Sequence, residues 1–164
     1  MVERHLSVLK LLLDQAGVGS DISTIDHRKS IQKTIQLSKS YGVDLGYSFS
    51  WYVKGPYSTS LTRDYYGLSR AGAVENLKLR DSAQKTIDIL RENLFDSPKR
   101  PSELEKPDWL ELLSSYDYLR NKRSLDETAI ISKLETEKIH VAKYANNAKE
   151  ALDECDKLLR ETDT

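Results

Sequence analysis

Apolar positions recur along this chain mostly at intervals of three and four, and in one stretch at intervals of two. Val2, Leu6, Leu9 and Leu13 form one stripe of a first helix, which Gly17 is placed to end. Residues 17–25 are small and polar and read as a loop. Asp26 is placed to cap a second helix carrying Ile31 and Ile35, with Gly42 as its stop. The period then changes. Tyr47, Phe49, Trp51 and Val53 alternate with Ser48, Ser50, Tyr52 and Lys54, which predicts a strand with its large apolar groups on one face. Gly55-Pro56 is read as the end of that strand, because proline has no N–H to give to a ladder. Ser58 or Thr59 then caps a helix near 59–70 whose stripe is Leu61, Tyr65 and Leu68.

Further along, Asn76–Leu79 reads as a short second strand, and Asp81 caps a helix with the stripe Ala83, Ile87, Leu90 and Leu94. Prolines 98, 101 and 107 predict an extended loop, and Asp108 opens a helix that turns Trp109, Leu112, Leu113 and Tyr116 inward. A short helix near 126–136 precedes a last one from about 140 to 162. There Val141, Ala145, Ala148, Leu152, Cys155 and Leu159 step 4-3-4-3-4, a coiled-coil-like seam. Such a seam packs on the chain's own core or pairs with a second copy as a homodimer. The predicted fold is mainly α (α+β): a compact helical domain with a small β-sheet or wing, winged-helix-like, plus a long C-terminal helix. Residues 1–122 form the helical domain with its aromatic hairpin, and 123–164 a C-terminal helical extension packed on the same domain.

Composition adds limits. The chain has 164 residues, 38% hydrophobic and 31% charged, and no run approaches the roughly 20 apolar residues of a membrane span. The first residues open on charge, with no signal-peptide pattern. One cysteine, Cys155, excludes an internal disulfide and a thiolate-rich zinc site. A cytoplasmic location and no membrane partner are expected. The net charge of -1 gives no general pull toward nucleic acid. Residues 1–123 carry 19 basic against 16 acidic side chains and residues 124–164 carry 6 against 10, a mild asymmetry.

Catalytic signatures are scarce. His5, His27 and His140 stand far apart in sequence and form no metal-ligand spacing. Gly17-Val18-Gly19 lacks both a preceding strand and a following lysine, so it is no phosphate-cradling loop. Cys155 lies on an apolar stripe and reads as a small hydrophobe. No cofactor, metal or enzymatic activity is expected.

The stretch Arg28-Lys29-Ser30-Ile31-Gln32-Lys33-Thr34-Ile35-Gln36-Leu37, followed by Tyr47-x-Phe49-x-Trp51-Tyr52-x-x-Gly55-Pro56-Tyr57-Ser58-x-x-Leu61-x-x-Asp64, resembles the YwgA-type proteins. It is similar, more distantly, to the SocA-like antitoxin domain called Panacea. Ile31-Gln32-Lys33 stands where these groups have Leu-Gln-Lys. The resemblance is strongest over residues 1–70 and extends more weakly over 80–122. It implies a compact helical domain with a small sheet and no enzymatic activity. SocA-like members act as antitoxins that bind a toxin protein, and one serves as a protease adaptor; many YwgA-type proteins sit near phage or mobile-element genes. The fully aromatic strand and the long C-terminal helices depart from the Panacea pattern.

Two functional classes follow. The first is a protein-interaction module, antitoxin-like or adaptor-like, whose partner is a toxin or protease system. Its surface would comprise Tyr52, Lys54, Gly55, Pro56, Tyr57, Ser58 and Arg63, because Tyr and Arg most often anchor interfaces. The second is a winged-helix-type nucleic-acid-binding regulator, in which Lys29, Lys33, Lys54, Arg63 and Arg70 contact phosphates.

Overall fold

A computed structural model describes residues 4–71 and 77–162. Among them the chain is mainly helical, with eight α-helices and one two-stranded antiparallel sheet. The helices are α1 (Arg4–Gln15), α2 (Ile25–Ser40), α3 (Thr59–Ala71), α4 (Asp81–Leu90), α5 (Lys106–Asp117), α6 (Glu127–Glu137), α7 (Ile139–Ala142) and α8 (Ala145–Thr162). Strands β1 (Ser50–Tyr52) and β2 (Gly55–Tyr57) lie between α2 and α3. Single π-helical turns, Arg91–Phe95 and Tyr118–Lys122, prolong α4 and α5. No described helix is long and apolar enough to cross a membrane.

Helices α2 and α5 form the centre of the molecule, and both are buried nearly all round. In α5 every residue from Trp109 to Asp117 is buried, and in α2 every residue from Lys29 to Ser38. The α5 interior is that of an apolar core helix: Trp109, Leu110, Leu112, Leu113 and Tyr116 are all but inaccessible. The α2 interior is not. Beside Ile31, Ile35 and Leu37 it buries Lys29, Gln32, Lys33, Thr34, Gln36 and Ser38. Buried polar groups persist only when partnered, and α5 supplies several partners. Lys29 Nζ donates to Asp108 and Glu111, Gln36 Nε2 to Asp117 Oδ2 at 3.1 Å, and Ser40 Oγ to Asp117 Oδ1 at 3.0 Å, while Ser114 Oγ donates to Gln36 Oε1 at 2.7 Å. The central helix pair is thus joined by a polar seam. The apolar faces of α1, α3, α4 and α8 pack around it.

Most of the predicted helices are present, with shifted ends. Thr24, not Asp26, caps α2: its side chain accepts from His27 N at 3.1 Å, and Asp26 lies within the first turn. Asp81 likewise sits inside α4, with Arg80 at the cap. Helix α5 begins at Lys106, so Pro107 belongs to its first turn, where a missing N–H costs nothing. Ser58 does cap α3, accepting from Leu61 N at 3.3 Å. Residues 77–80 are irregular rather than a strand, and Val2 and Asn76 lie outside the described residues.

The strand register differs from the alternation in the sequence. β1 holds three residues, and the chain reverses at Val53-Lys54 into β2, pairing Ser50 with Tyr57, Trp51 with Pro56 and Tyr52 with Gly55. Gly55-Pro56 therefore opens the second strand rather than ending the first. Pro56 is tolerated because a two-stranded ribbon leaves its missing N–H on an open edge. The face predicted to be uniformly apolar divides. Tyr47 is buried, Phe49 and Trp51 are half-buried, and Val53, at the tip, is 88% exposed.

The C-terminal seam faces inward. Val141, Ala145, Ala148, Leu152 and Cys155 are buried in the same core as the first 122 residues, with Leu159 partly covered. The seam is spent on the chain's own core, so it offers no face to a second copy. The predicted single helix from 140 to 162 is interrupted at Lys143-Tyr144, giving α7 and α8.

Candidate docking surface

The predicted interaction residues divide by burial. Tyr52, Val53 and Lys54 form the exposed hairpin tip, and Arg63 is exposed on α3, with its Nε 3.7 Å from Asp64 Oδ1. Tyr57 is half-buried, its ring 5.3 Å edge-on from that of Tyr52. Gly55, Pro56 and Ser58 are buried and serve inside the molecule rather than on its surface. Lys33 Nζ donates to Pro56 O at 2.6 Å. Gln32 meets Ser58 with both ends of its amide: Nε2 donates to Ser58 O at 2.9 Å, and Oε1 accepts from Ser58 N at 2.8 Å. The two halves of the motif read in the sequence, Ile31-Gln32-Lys33 and Gly55-Pro56-Tyr57-Ser58, are therefore one structural unit in which α2 holds the hairpin base.

Gly55 has φ +92°, and a Cβ there would lie 2.7 Å from Ser115 Oγ and 3.5 Å from Lys33 Nζ. A side chain there would be strained by the left-handed backbone and would press on Ser115 Oγ, which is the physical reason for glycine at this position. Ser115 Oγ is itself buried without a hydrogen-bond partner.

Beneath the hairpin lies a buried charged cluster that sequence reasoning did not assemble. Glu111 is 1% exposed and receives Lys29 Nζ at 3.0 Å and Lys138 Nζ at 3.5 Å. Lys138, wholly buried, also donates to Tyr52 O at 3.4 Å and lies 5.4 Å from the centre of the Trp51 ring. Burial lowers its pKa, against the pull of Glu111. Lys33, 1% exposed, is pushed down to about 7: loss of solvent dominates, and Lys138, Lys29 and Lys54 repel its charge while Glu111 favours it. Lys29 moves the other way, held up by Asp108 and Glu111 despite its desolvation. A clue was present in the sequence: Glu111 stands between Leu110 and Leu112, inside the apolar run from Trp109 to Leu113.

Asp108, Glu111 and His140 bring ligand-type atoms within 4.8 Å of one another, an approach the separated histidines gave no hint of. The Lys29 ammonium stands 2.7 Å from Asp108 and 3.0 Å from Glu111, where a metal ion would bind, so these carboxylates already hold their cation. Cys155 is buried, and burial pushes its thiol up to about 12, which leaves it unreactive.

Trp51 joins the tip to α6. Its Nε1 donates to Glu137 at 3.2 Å, its ring tilts 5.9 Å from Tyr118, and Arg123 and Lys133 stand over it at 5.9 Å. It is a half-buried, cation-flanked bracket rather than a core aromatic. Ile139, which follows Lys138 in the chain, is 81% exposed.

Compared with known proteins, the chain matches no family model, no curated protein and no solved structure.

Proposed function

We propose that this chain is a non-enzymatic protein-interaction module, antitoxin-like or adaptor-like, that docks its partner through the hairpin tip. The observation behind this reading is the exposure of large apolar side chains on a rigidly braced turn: Val53 is 88% exposed, and the adjacent Tyr52 is half exposed. Exposed apolar groups clustered at one place favour association. The brace matters because a fixed anchor loses little entropy on binding: Lys138 holds Tyr52 O, and Gln32 and Lys33 hold the hairpin base. Exposed Lys54 at the tip suits a partner with an acidic rim.

The alternative, a winged-helix-type regulator that binds nucleic acid, has less support. Lys29 and Lys33, two of its five expected phosphate contacts, are buried beneath the hairpin.

The test compares affinity capture from the native host by wild type, Tyr52→Ala, Val53→Asp, and Lys54→Glu combined with Arg63→Glu. One protein partner should be retained by wild type in moderate salt and lost from Tyr52→Ala and Val53→Asp, with thermal melting unchanged. Hot-spot truncations of this kind weaken binding by about 2 kcal/mol or more. A partner held equally by both tip variants sinks the reading. Duplex-DNA binding that survives Tyr52→Ala but disappears on charge reversal replaces it with the regulator.

A further inference from the structure

A cavity of about 150 Å³ opens between α2 and the hairpin, with Arg28, Lys29, Lys33 and Lys54 in its wall beside Gln32 and Tyr57. It is small against the roughly 300–1,000 Å³ of pockets that take a whole drug-sized ligand, so it suits one charged group with the rest of its molecule outside. Its charges are unbalanced. Asp108 and Glu111 meet the Lys29 ammonium. Among the described residues no carboxylate comes within 4.0 Å of Arg28, Lys33 or Lys54. Arg28 donates to Ile22 O at 2.8 Å and Lys33 to Pro56 O at 2.6 Å, so each has a neutral acceptor but no counter-ion.

Like charges gathered around a partly desolvated cavity raise one another's cost, and an anion placed among them relieves it. Gln32 spends its amide on Ser58 and Thr62, so it shapes the wall while the cations bind. A dianion answers the unmatched cations Arg28 and Lys54 and the protonatable Lys33 amine better than a monoanionic carboxylate does, and the planar fork of Arg28 suits a phosphoryl oxygen pair.

We propose that this cavity is a phosphate-binding site, with Arg28, Lys33 and Lys54 as its ligands, which takes free phosphate or the phosphate of a small monoester. The site shares Lys54 and Tyr57 with the docking surface but does not rest on that reading, because it is tested on the isolated chain with no partner present. Binding also carries a proton. Lys33 is largely neutral above pH 7, held there by burial and by Lys138, Lys29 and Lys54 against Glu111. An anion beside it restores the ammonium.

Calorimetric titration of the full chain with inorganic phosphate, and in a second arm with methyl phosphate, tests the site. Wild type should bind at least one of them; a preference for methyl phosphate marks a phosphorylated small molecule, and a preference for inorganic phosphate marks the free ion. Lys54→Ala, at an exposed position, and Lys33→Met should each weaken binding about tenfold or more, while Lys157→Ala on α8 changes it less than twofold. Sulfate at pH 7.5, which has no proton to exchange, should bind wild type with proton uptake, read as a heat that depends on the buffer. Lys33→Met should lose that dependence. Absence of binding at millimolar phosphate overturns the proposal. So does an affinity unchanged in Lys54→Ala and Lys33→Met, or one lowered equally by Lys157→Ala.

Discussion

At the scale of single residues, Lys33 is the most consequential side chain in the molecule. Its side chain is all but buried, and its pKa of about 7 lies well below the usual 10.5. Between those values the unfolded chain binds a proton that the folded one does not, so stability rises with pH across that interval. Below pH 7 the full cost of burying the charge applies. Lys138 is shifted in the same direction and adds to the effect. Tyr41, Tyr47 and Cys155 are shifted up by burial, so in strong alkali they work the other way: the unfolded chain loses protons that the folded one keeps. Replacing Lys33 with Met should raise stability at pH 7 by about 2–4 kcal/mol and flatten the rise between pH 7 and 9, as urea denaturation at the two pH values will report. A rise that persists in Lys33→Met would assign it to other groups. Periodicity could not have revealed this, because it sorts side chains by chemistry and sends every lysine to the surface. Lys33 and Gln32 are inside since Pro56 and Ser58, more than twenty residues on, supply the acceptors they need.

At the scale of elements, the hairpin shows where local pattern ends. The sequence placed an aromatic extended segment here, and correctly placed α3 behind Ser58. It did not place the reversal at Val53-Lys54, because strict alternation from Tyr47 to Val53 looks like one longer strand and carries no turn chemistry. Burial of the hairpin base was also illegible, since it is imposed by Ser115 on α5, some sixty residues away. The site was legible in half: the tip residues were named, and the cluster of Lys29, Lys33, Glu111 and Lys138 was not. Gly55→Ala should cost about 2–4 kcal/mol, from left-handed backbone strain together with the clash on Ser115 Oγ. Ser115→Ala alone should be neutral or slightly stabilising, since it removes a buried hydroxyl with no partner. Thermal denaturation of the two single variants and the double variant separates the terms. The double should recover the clash but not the strain; full recovery would show that φ carries no cost.

At the scale of the whole molecule, the helical pattern gave the architecture well, because most of the described helices bury a stripe in one common core. The exceptions, α2 and α5, are the centre itself: the apolar residues read as their stripes are buried, but so are the polar residues between them. The C-terminal seam belongs to that same core, and Ala148 is wholly inaccessible. Ala148→Glu should therefore unfold the chain rather than separate a dimer, with loss of the cooperative melt by circular dichroism. A folded monomer of that variant, from a wild type that sediments as a dimer, would return the seam to an interface. The polar interior of α2 has a consequence for biosynthesis. The helix leaves the ribosome well before α5, the element that meets Lys29 and Gln36. A central helix of leucine and valine would spend that interval sticky. This one waits in water with lysine, glutamine, threonine and serine on the face it will later hide, and it becomes dry only when Pro56 and Ser58 have taken Lys33 and Gln32, and Asp108, Glu111 and Asp117 have arrived to claim Lys29 and Gln36.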